Sequence, residues 1–539
     1  MRSIPPAQRP SFLSGVSILA LSAVVVKIIG LLYRIPLLDR LGTEGMGYFN
    51  TAYELYALFC IISTAGLPVA MSVLIAKYEA AGRWNGARRV YRVSLSLFLG
   101  LGIGGSALLW GLSAPFAALL GNPLSAACMR AISPTVLLIC LSSAFRGYFQ
   151  GKRTMLPTAV SQMIEAGGKL FLGLAFAAYA RGRGEDLPTT AAYAVLGLTV
   201  GTAISLLYLA IHKRILDARD TEACPAPVSE APEPILRPLL ATAIPVTLSA
   251  GVISLTKCLD LALLLRRLQA VGCSVGEANA LYGCYSTLAV PVFNMIPSLT
   301  ASIALSATPA LSAALQKGVE GQGELRKTAS SALGLALLVA IPGGLGISVF
   351  AGDILRLLFA GQPEAVVQAT PWLSCLGLSV PAACLLTVTG AMLQSAGKAG
   401  CPIISMLLGV GCKTVLAYIL LGTEGWGMMG MPVSSLLCDT VAVAINLCFI
   451  ARHAPAMLPD LRSVMGLFGV PTLLAGGAIL AVKGLRRAFG WQSVTPLHTL
   501  GTVICVACLY GAGVLICRLL RNTYKKKESS HEQTDQGTA

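Results

Sequence analysis

Five ionisable residues lie inside otherwise apolar stretches of the sequence, and they are the first candidates for chemistry. Lys27 and Arg34 are seven residues apart, so a helix places them on one face about two turns apart. Lys257 and Asp260 are three residues apart and also share a face, and Glu54 lies in a neighbouring stretch. Lysine and arginine form charge-assisted hydrogen bonds to phosphate oxygens. A mainly cationic set of this kind predicts a binding site for a diphosphate.

The stretches that hold these residues have the length and composition of membrane spans. The chain has 539 residues, of which 55% are hydrophobic and 12% are charged, whereas soluble domains carry roughly 25% charged residues. A spanning helix needs about 20 apolar residues, and continuous apolar runs do not fit the alternating strands of a barrel. We therefore predict an all-α polytopic membrane protein with about fourteen transmembrane helices. The predicted spans are residues 12–33, 48–76, 93–119, 128–149, 155–180, 189–211, 237–265, 279–312, 329–351, 366–395, 400–422, 426–451, 463–483 and 495–518.

The basic residues of the loops predict the orientation of these spans. The first apolar run follows the N-terminus without a small-residue cleavage site, so we expect a retained span rather than a removed signal peptide. Lys and Arg are concentrated in the C-terminal tail and in the loops on the same side, which predicts that both termini are cytoplasmic. Under this topology Lys483, Arg486 and Arg487 are an exception, because they fall outside. The net charge of +16 is thus explained by topology, and we expect no nucleic-acid partner.

An internal repeat relates two groups of six spans. Tyr53, Tyr56 and Pro68 recur at a constant offset as Tyr282, Tyr285 and Pro297, and Lys27 recurs as Lys257 at almost the same offset. Gln150, Ser161 and Lys169 recur at a second offset as Gln394, Ser405 and Lys413. An even number of spans in each copy gives both copies one orientation, as in transporters built from parallel repeats around a central cavity. Spans 1 and 7 would flank that cavity.

A proline-rich cytoplasmic linker separates the two copies. The predicted organisation is an N-terminal cytoplasmic segment (1–11), a first lobe (12–211), the linker (212–236), a second lobe (237–451), two further spans (452–519) and a disordered cytoplasmic tail (520–539).

Structural roles compete with functional ones for several of these residues. Lys257 and Asp260 could neutralise each other, and Arg34 could extend to the interface. Glu165 with Lys169, and Lys413 with Asp439, are predicted to be structural ion pairs. The four repeated tyrosines could line a sugar-accepting cavity, but interfacial anchoring is favoured. Pro68 and Pro297 are hinge candidates, because proline kinks a helix.

Other chemistry is poorly supported by the sequence. The sixteen cysteines are scattered through apolar runs, where they behave as small hydrophobic residues. Cys505 and Cys508 form a CxxC pair inside the last span without a second pair, so neither metal nor redox chemistry is expected. We expect no cofactor, and the sequence leaves open whether Na⁺ or H⁺ drives the protein.

Several segments resemble one known family. They are KIIGLLYRIP at residues 27–36, LG at 41–42, GMGY at 45–48, ISTAGLP at 62–68, FRGYFQG at 145–151 and PTA at 157–159. The sequence resembles the polysaccharide-biosynthesis or stage V sporulation protein B branch of the multidrug/oligosaccharidyl-lipid/polysaccharide exporter superfamily, which includes lipid II flippases. The resemblance implies two pseudo-symmetric six-helix lobes plus two C-terminal helices. It also implies that Lys27 and Arg34 serve a diphosphate. No basic residue aligns in the middle of span 2, where this chain has Glu54.

Three candidate functions are compatible with these sequence features to different degrees. The favoured one is a flippase that moves an undecaprenyl-diphosphate-linked saccharide across the cytoplasmic membrane by alternating access. A multidrug or cation antiporter of the same superfamily would need an acidic cavity, for which Glu54 and Asp260 are a thin basis. A membrane-embedded glycan-processing enzyme would need a carboxylate or histidine constellation that the short outer loops lack. We expect a monomer that contacts membrane lipids, with cell-envelope synthesis proteins as partners left open.

Overall fold

The computed structural model describes residues 12–223, 234–317, 321–459, 461–488, 498 and 501–516, and within these ranges it is helical without a β-strand. The predicted all-α class is therefore confirmed. The helices are, in chain order, α1 (Phe12–Thr64), α2 (Gly66–Ala80), α3 (Trp84–Gly111), α4 (Ser113–Leu119), α5 (Ala126–Gly151), α6 (Leu156–Gly182), α7 (Leu187–Ala223), α8 (Leu236–Ala270) and α9 (Val275–Cys284). They continue as α10 (Val290–Gln316), α11 (Gln322–Val349), α12 (Ala351–Leu358), α13 (Pro363–Ser395), α14 (Gly400–Leu421), α15 (Gly430–His453), α16 (Leu461–Ala488) and α17 (Gly501–Ile516).

The length of these helices agrees with a protein that crosses the membrane about fourteen times. Twelve segments within the described residues are long and apolar enough to span. One of them, Leu21–Ala80, has 60 residues and would be roughly 90 Å long as a continuous helix, about three times the hydrocarbon thickness. Helical geometry breaks at Gly42 (φ 64°, ψ −177°), a conformation that glycine adopts without a steric penalty. Predicted spans 12–33 and 48–76 lie on either side of this break, and the shorter apolar helix α17 lies within the last predicted span, residues 495–518.

The chain divides into two compact units. Unit 1 comprises Met1–Thr287 and Leu421–Gly427, and unit 2 comprises Leu288–Leu420 and Met428–Ala539. The five residues predicted to bind substrate therefore all belong to unit 1. Unit 1 also includes α8 and α9, which the repeat assigns to the second copy, and the lobe boundaries read from the repeat stay a prediction.

The predicted linker is helical in its first part. Helix α7 continues to Ala223, where the sequence analysis placed its end near residue 211. Lys213 and Asp217 form an ion pair one turn apart in this extension, which supports the helix, and the first proline comes only at Pro225. The proline-rich residues 224–233 lie outside the described residues, as do the N-terminal segment 1–11 and the tail 520–539.

The two hinge candidates occupy different local structures. Pro68 is the third residue of α2, just after the chain turns between α1 and α2 at Ala65. A proline in the first turn of a helix sacrifices no backbone hydrogen bond. Pro297 lies inside α10, downstream of a π-helical turn at Tyr285–Ala289. Both predicted spans are interrupted, but the hinge role of the two prolines stays a prediction.

Glycines permit the close approach of helices within each unit. A Cβ added to Gly168 on α6 would lie 2.4 Å from the Cα of Gly201 on α7, and one added to Gly197 would lie 2.1 Å from the backbone nitrogen of Gly173. Small residues at helix contacts are the usual solution in membranes, where packing replaces the hydrophobic effect as the source of attraction. In unit 2 the core is built in the same way, from alanines and larger apolar side chains of α10, α11, α13 and α15.

An ion pair explains one of the three basic residues that break the loop-charge pattern. Arg486 lies near the end of α16, and its Nη1 is 2.6 Å from Oδ2 of Asp353 on α12. Both side chains are largely buried. Arg486 thus has a structural contact inside unit 2, whatever its effect on the orientation of the spans in the membrane.

Candidate functional site

Arg34 lies on α1 before the Gly42 break and contacts the π-helical turn that follows α9. Its Nη1 donates a hydrogen bond to the carbonyl oxygen of Ser286 at 2.7 Å. Turns of π-helix loosen the regular backbone ladder and often occur at functional sites. The contact joins the first span to a turn more than 250 residues later in the chain.

Asn50 attaches the same turn to the second half of α1. Its Nδ2 donates to Oγ of Ser286 and to Oγ1 of Thr287, both at 2.9 Å. The Asn50 and Thr287 side chains are buried. The role of Asn50 could not be predicted from the sequence, because an uncharged polar residue in an apolar run carries no distinctive pattern.

Glu54 completes the polar surroundings of Arg34. It is half-buried, and its carboxylate is near enough to act electrostatically on the guanidinium, as are the phenol groups of Tyr53 and Tyr282. Within the part of the chain that the structure describes, no carboxylate lies within 4.0 Å of Arg34 to form an ion pair. A guanidinium has five N–H donors, and the described residues accept from one of its nitrogens. Arg34 therefore retains hydrogen-bonding capacity for a further acceptor.

Lys257 lies next to this group through Cys258. The sulfur of Cys258 is 3.6 Å from the backbone carbonyl oxygen of Glu54, and the side chains of Glu54 and Lys257 both act electrostatically on the thiol. Lys257 is itself exposed. The Glu54 backbone and this turn of α8 are thus in contact, which the sequence alone could not establish.

Lys27 and Asp260 are not brought to Arg34 by any contact described above. Lys27 is exposed on α1, two turns before Arg34, and Asp260 is half-buried on α8. Neither Lys27 nor Lys257 forms an ion pair with a residue in the described ranges. The predicted alternative, in which Lys257 and Asp260 neutralise each other, stays a prediction.

The prediction that Glu165 forms an ion pair with Lys169 is wrong, because Glu165 has a different partner. Glu165 instead pairs with Arg146 on α5, whose Nη2 is 2.8 Å from Oε2 of the carboxylate. The Nε of Arg146 also donates to Oγ of Ser161 at 3.0 Å. The planar guanidinium can bond to the carboxylate and the hydroxyl at once, which the ammonium of a lysine one turn away cannot do with the same geometry. The signal for this partner was Arg146 itself, an intramembrane arginine in FRGYFQG.

Lys169 is surrounded by aromatic rings instead. Its Nζ lies 4.4 Å from the ring centroid of Tyr53, 5.2 Å from that of Tyr33 and 5.6 Å from that of Phe49. Tyr33 and Phe49 are buried, whereas Tyr53 and Lys169 are partly accessible. The other predicted structural pair is Lys413 with Asp439 in unit 2, where Lys413 acts electrostatically on the Asp439 carboxylate. Its role as an ion pair stays a prediction.

A cluster of uncharged polar side chains forms a second contact between α1 and α9. Asn122 donates from Nδ2 to Oδ1 of Asn279 at 2.7 Å and to Oγ1 of Thr51 at 2.9 Å. Asn279 in turn donates to the carbonyl oxygen of Glu44 at 2.7 Å. Asn122, Asn279 and Thr51 are buried. This cluster could not be predicted from the sequence, because Asn122 precedes a proline and resembles an ordinary turn residue.

Glycines allow this contact to form. A Cβ added to Gly47 would lie 2.4 Å from the backbone oxygen of Asn279, and one added to Gly283 would lie 1.9 Å from that of Thr43. The backbones of α1 and α9 therefore touch directly, and no other residue type fits at these two positions without displacing a helix.

The cationic side chains of unit 1 support the binding of an anion. Within the described residues, no group of three or more His, Cys, Asp and Glu side chains is arranged to hold a metal ion. The interior of unit 1 instead presents the guanidinium of Arg34 and the ammonium of Lys169 in a low-dielectric medium. Such groups stabilise an anion.

Comparison with known proteins agrees with this fold. The polysaccharide biosynthesis protein family matches residues 12–315, more than half of the chain, and the MatE family matches residues 286–419. The chain is 24% identical to stage V sporulation protein B of Bacillus subtilis strain 168, over 95% of this chain and 96% of that protein. It is 25% identical to lipid II flippase MurJ of the same organism, over 94% of both chains.

A solved structure shares the fold. The inward closed conformation of lipid II flippase MurJ superimposes with a TM-score of 0.67 at 13% identity, covering 94% of this chain and 100% of that one. Family, length and helical architecture therefore agree. The chain is a multi-pass membrane transporter of the polysaccharide biosynthesis protein family, within the multidrug/oligosaccharidyl-lipid/polysaccharide exporter superfamily.

Proposed function

We propose that this protein is a flippase for a saccharide linked to undecaprenyl diphosphate, either lipid II or the repeat unit of another polysaccharide. The cargo crosses the cytoplasmic membrane by alternating access, and its diphosphate binds to the cations inside unit 1. Lys27, Arg34 and Lys257 are the cationic residues of this proposal, with Glu54 and Asp260 as the acidic residues beside them. Two relatives that the chain matches over most of its length, a lipid II flippase and a sporulation protein, support the class of cargo.

The observation that carries the proposal is the state of Arg34. Its guanidinium lies in a spanning helix, and no carboxylate of the described residues is within 4.0 Å of it. Placing an arginine at the centre of a bilayer costs about 2.5–3.5 kcal/mol on insertion scales. One hydrogen bond to the Ser286 carbonyl offsets only part of that cost. A diphosphate supplies negative charge in direct contact with the guanidinium together with several hydrogen-bond acceptors.

An antiporter for cationic drugs is the second candidate, because the MatE family matches residues 286–419. A cationic drug needs an acidic site. Glu54 is the acidic residue next to Arg34, and the guanidinium already compensates its charge electrostatically. The polarity of unit 1 therefore favours an anionic cargo.

Transport in a defined system tests the proposal. The full chain is reconstituted into vesicles that contain lipid II or an undecaprenyl-diphosphate disaccharide, and the head group exposed on each leaflet is measured with time. We expect wild type to equilibrate at least one of the two lipids, and Lys27→Ala and Arg34→Ala to abolish movement while remaining folded. Lys317→Ala is the control, because Lys317 is an exposed residue paired with an exposed Glu324.

Two results would contradict the proposal. Wild type that moves neither lipid but expels cationic dyes would identify the protein as an antiporter. Full transport by Arg34→Ala would remove the cationic mechanism. Complementation of a strain that lacks its lipid II flippase then separates lipid II from another saccharide, and exchange of Na⁺ for K⁺ or collapse of the pH gradient identifies the driving ion.

A further inference from the structure

Lys169 is an intramembrane cation that forms no close ion pair within the described residues, although the carboxylate of Glu165 acts on it electrostatically from a greater distance. The carboxylate one turn away, Glu165, is engaged with Arg146, and no carboxylate in the described residues lies within 4.0 Å of the Lys169 ammonium. The groups that surround Nζ are the rings of Tyr33, Phe49 and Tyr53, with centroids 4.4 to 5.6 Å away. Lys169 thus differs from a lysine in a structural ion pair.

The rings form a fixed surface beneath the ammonium. Phe49 and Tyr53 are one turn apart on α1, and their rings stack with centroids 6.2 Å apart and an angle of 9° between planes. Tyr33 comes from the segment before Gly42, and its hydroxyl packs against Gly173, one turn after Lys169 on α6. Tyr33 and Phe49 are buried, while Tyr53 and Lys169 remain partly accessible. The three rings therefore lie close to the ammonium, while the Lys169 residue as a whole is not fully buried.

Aromatic rings compensate this charge only in part. A single cation–π contact contributes less than a close ion pair does in the same low-dielectric surroundings. Arg34 adds to the positive potential, because it lies near enough to repel Lys169. Two neighbouring cations that each lack a carboxylate within 4.0 Å favour an anion with several oxygen atoms, which can accept hydrogen bonds from both.

We propose that Lys169 is a second anion-binding residue of the cargo site, contacting one phosphate of the diphosphate while Arg34 contacts the diphosphate from α1. The cage of Tyr33, Phe49 and Tyr53 holds the ammonium when the site is empty of cargo. This inference rests on the proposed flippase function and adds a residue from α6 to a site that the sequence placed on spans 1, 2 and 7.

The repeat provides a matched control. Lys413 is the counterpart of Lys169 in the second copy, and it acts electrostatically on the carboxylate of Asp439. The counterpart of Phe49, at the offset that relates Tyr53 to Tyr282, is Ala278, so the cage is not repeated. A lysine with an acidic partner is expected to be structural, whereas one in a ring cage is expected to bind cargo.

Binding by full-length protein in nanodiscs tests the inference. Affinity is measured for undecaprenyl diphosphate, undecaprenyl phosphate and undecaprenol, together with the midpoint of thermal unfolding. We expect Lys169→Met to weaken binding of undecaprenyl diphosphate by about ten- to a hundred-fold, the size of a lost charge-assisted hydrogen bond, and Lys169→Arg to retain most of it. Lys413→Met is expected to change this affinity less than threefold.

The unfolding midpoint separates a binding role from a structural one. Methionine removes a charge from the membrane interior and fills a similar volume, so Lys169→Met without ligand should unfold at or above the wild-type midpoint. A structural lysine would give the opposite sign, a lowered midpoint with unchanged affinity, and that result would overturn the inference. Equal losses of affinity in Lys169→Met and Lys413→Met would overturn it as well.

The two proposals fail in different ways. If wild type binds undecaprenyl diphosphate and Lys169→Met binds it equally well, the role of Lys169 is refuted while the flippase function stands. If wild type binds neither phosphorylated lipid more tightly than undecaprenol, the proposed function itself fails.

Discussion

Asn122 and Asn279, 157 positions apart in the chain, meet through a hydrogen bond from Nδ2 of Asn122 to Oδ1 of Asn279 at 2.7 Å. Both side chains are fully buried, and the Oδ1 of Asn122 has no hydrogen-bond partner. The bond joins the turn before α5 to α9, and both residues also contact the second half of α1. One end of unit 1 is therefore held together by neutral amides rather than by ion pairs.

A double-mutant cycle of Asn122→Ala and Asn279→Ala measures this bond. Interhelical hydrogen bonds in membranes contribute about 0.6 kcal/mol on average and up to about 1.7. We expect a coupling energy near the upper end, because the bond is fully buried and Asn279 also anchors the Glu44 carbonyl. Unfolding in mixed micelles gives the four stabilities. Additive effects of the two substitutions would mean that the amides do not stabilise each other.

Gly283→Ala should displace α9 from α1. The added Cβ would lie 1.9 Å from the backbone oxygen of Thr43, whereas the nearest atom to a Cβ at Gly276 on the same helix is Oε1 of Glu44 at 3.5 Å. We expect Gly283→Ala to lower the unfolding midpoint and the transport rate. Gly276→Ala is the control and should be neutral or slightly stabilising, because alanine favours a helix over glycine by about 0.5–1 kcal/mol. Two variants of equal stability would contradict the close packing.

Removing one member of the Arg146–Glu165 pair should cost more than removing one member of an exposed pair. The Arg146 and Glu165 side chains are 11% and 20% exposed, against 56% for both Lys317 and Glu324. Hydrogen bonds to charged groups contribute about 1.5–3 kcal/mol, whereas exposed ion pairs contribute about 0–1. Thermal unfolding of Glu165→Gln and Glu324→Gln provides the comparison.

Restoration in a double variant would confirm the mechanism. Arg146→Met with Glu165→Leu removes both charges, so we expect it to recover most of the stability lost in Glu165→Gln, as for other buried pairs replaced by apolar residues. Failure to recover would show that the contacts of Arg146 with Ser161 matter more than its ion pair.

Arg486→Ala should weaken the attachment of α16 to α12. Nη1 of Arg486 is 2.6 Å from Oδ2 of Asp353, and both side chains are less than 20% exposed. Its neighbour Arg487 is exposed and provides the matched control. We expect Arg486→Ala to expose the end of α16 to proteolysis and to lower the unfolding midpoint, with Arg487→Ala unchanged. Identical proteolysis of both variants would refute a structural role for the pair.

The sequence predicted the helical architecture because apolar length alone specifies a membrane span. Gly42 separates predicted spans 1 and 2 even though the helix otherwise continues from Phe12 to Thr64. The boundary after span 6 was less accurate, because Lys213 and Asp217 extend α7 with a polar helix that no hydropathy pattern detects. Intramembrane lysines and arginines were recognised for the same reason as the spans, since a charge in an apolar run is conspicuous.

Partners of these charges could not be predicted in the same way. The rule of residues one turn apart considers one helix at a time, so it paired Glu165 with Lys169 and overlooked Arg146 on a neighbouring helix. Asn50, Asn122 and Asn279 were missed because a buried amide has no pattern in sequence; its role depends on contacts between distant segments. The ring cage depends on Tyr33 and Phe49 meeting α6, which only the packing reveals.

The boundary between the two compact units falls between Thr287 and Leu288, inside the π-helical turn Tyr285–Ala289. The backbone there continues from one unit into the other through a stretch whose regular helical hydrogen bonding is already relaxed. Arg34 and Asn50 hold Ser286 and Thr287 on the unit 1 side of that boundary. An anion that bound to the Arg34 guanidinium, as proposed, would therefore compete with the Ser286 carbonyl oxygen for the same donor.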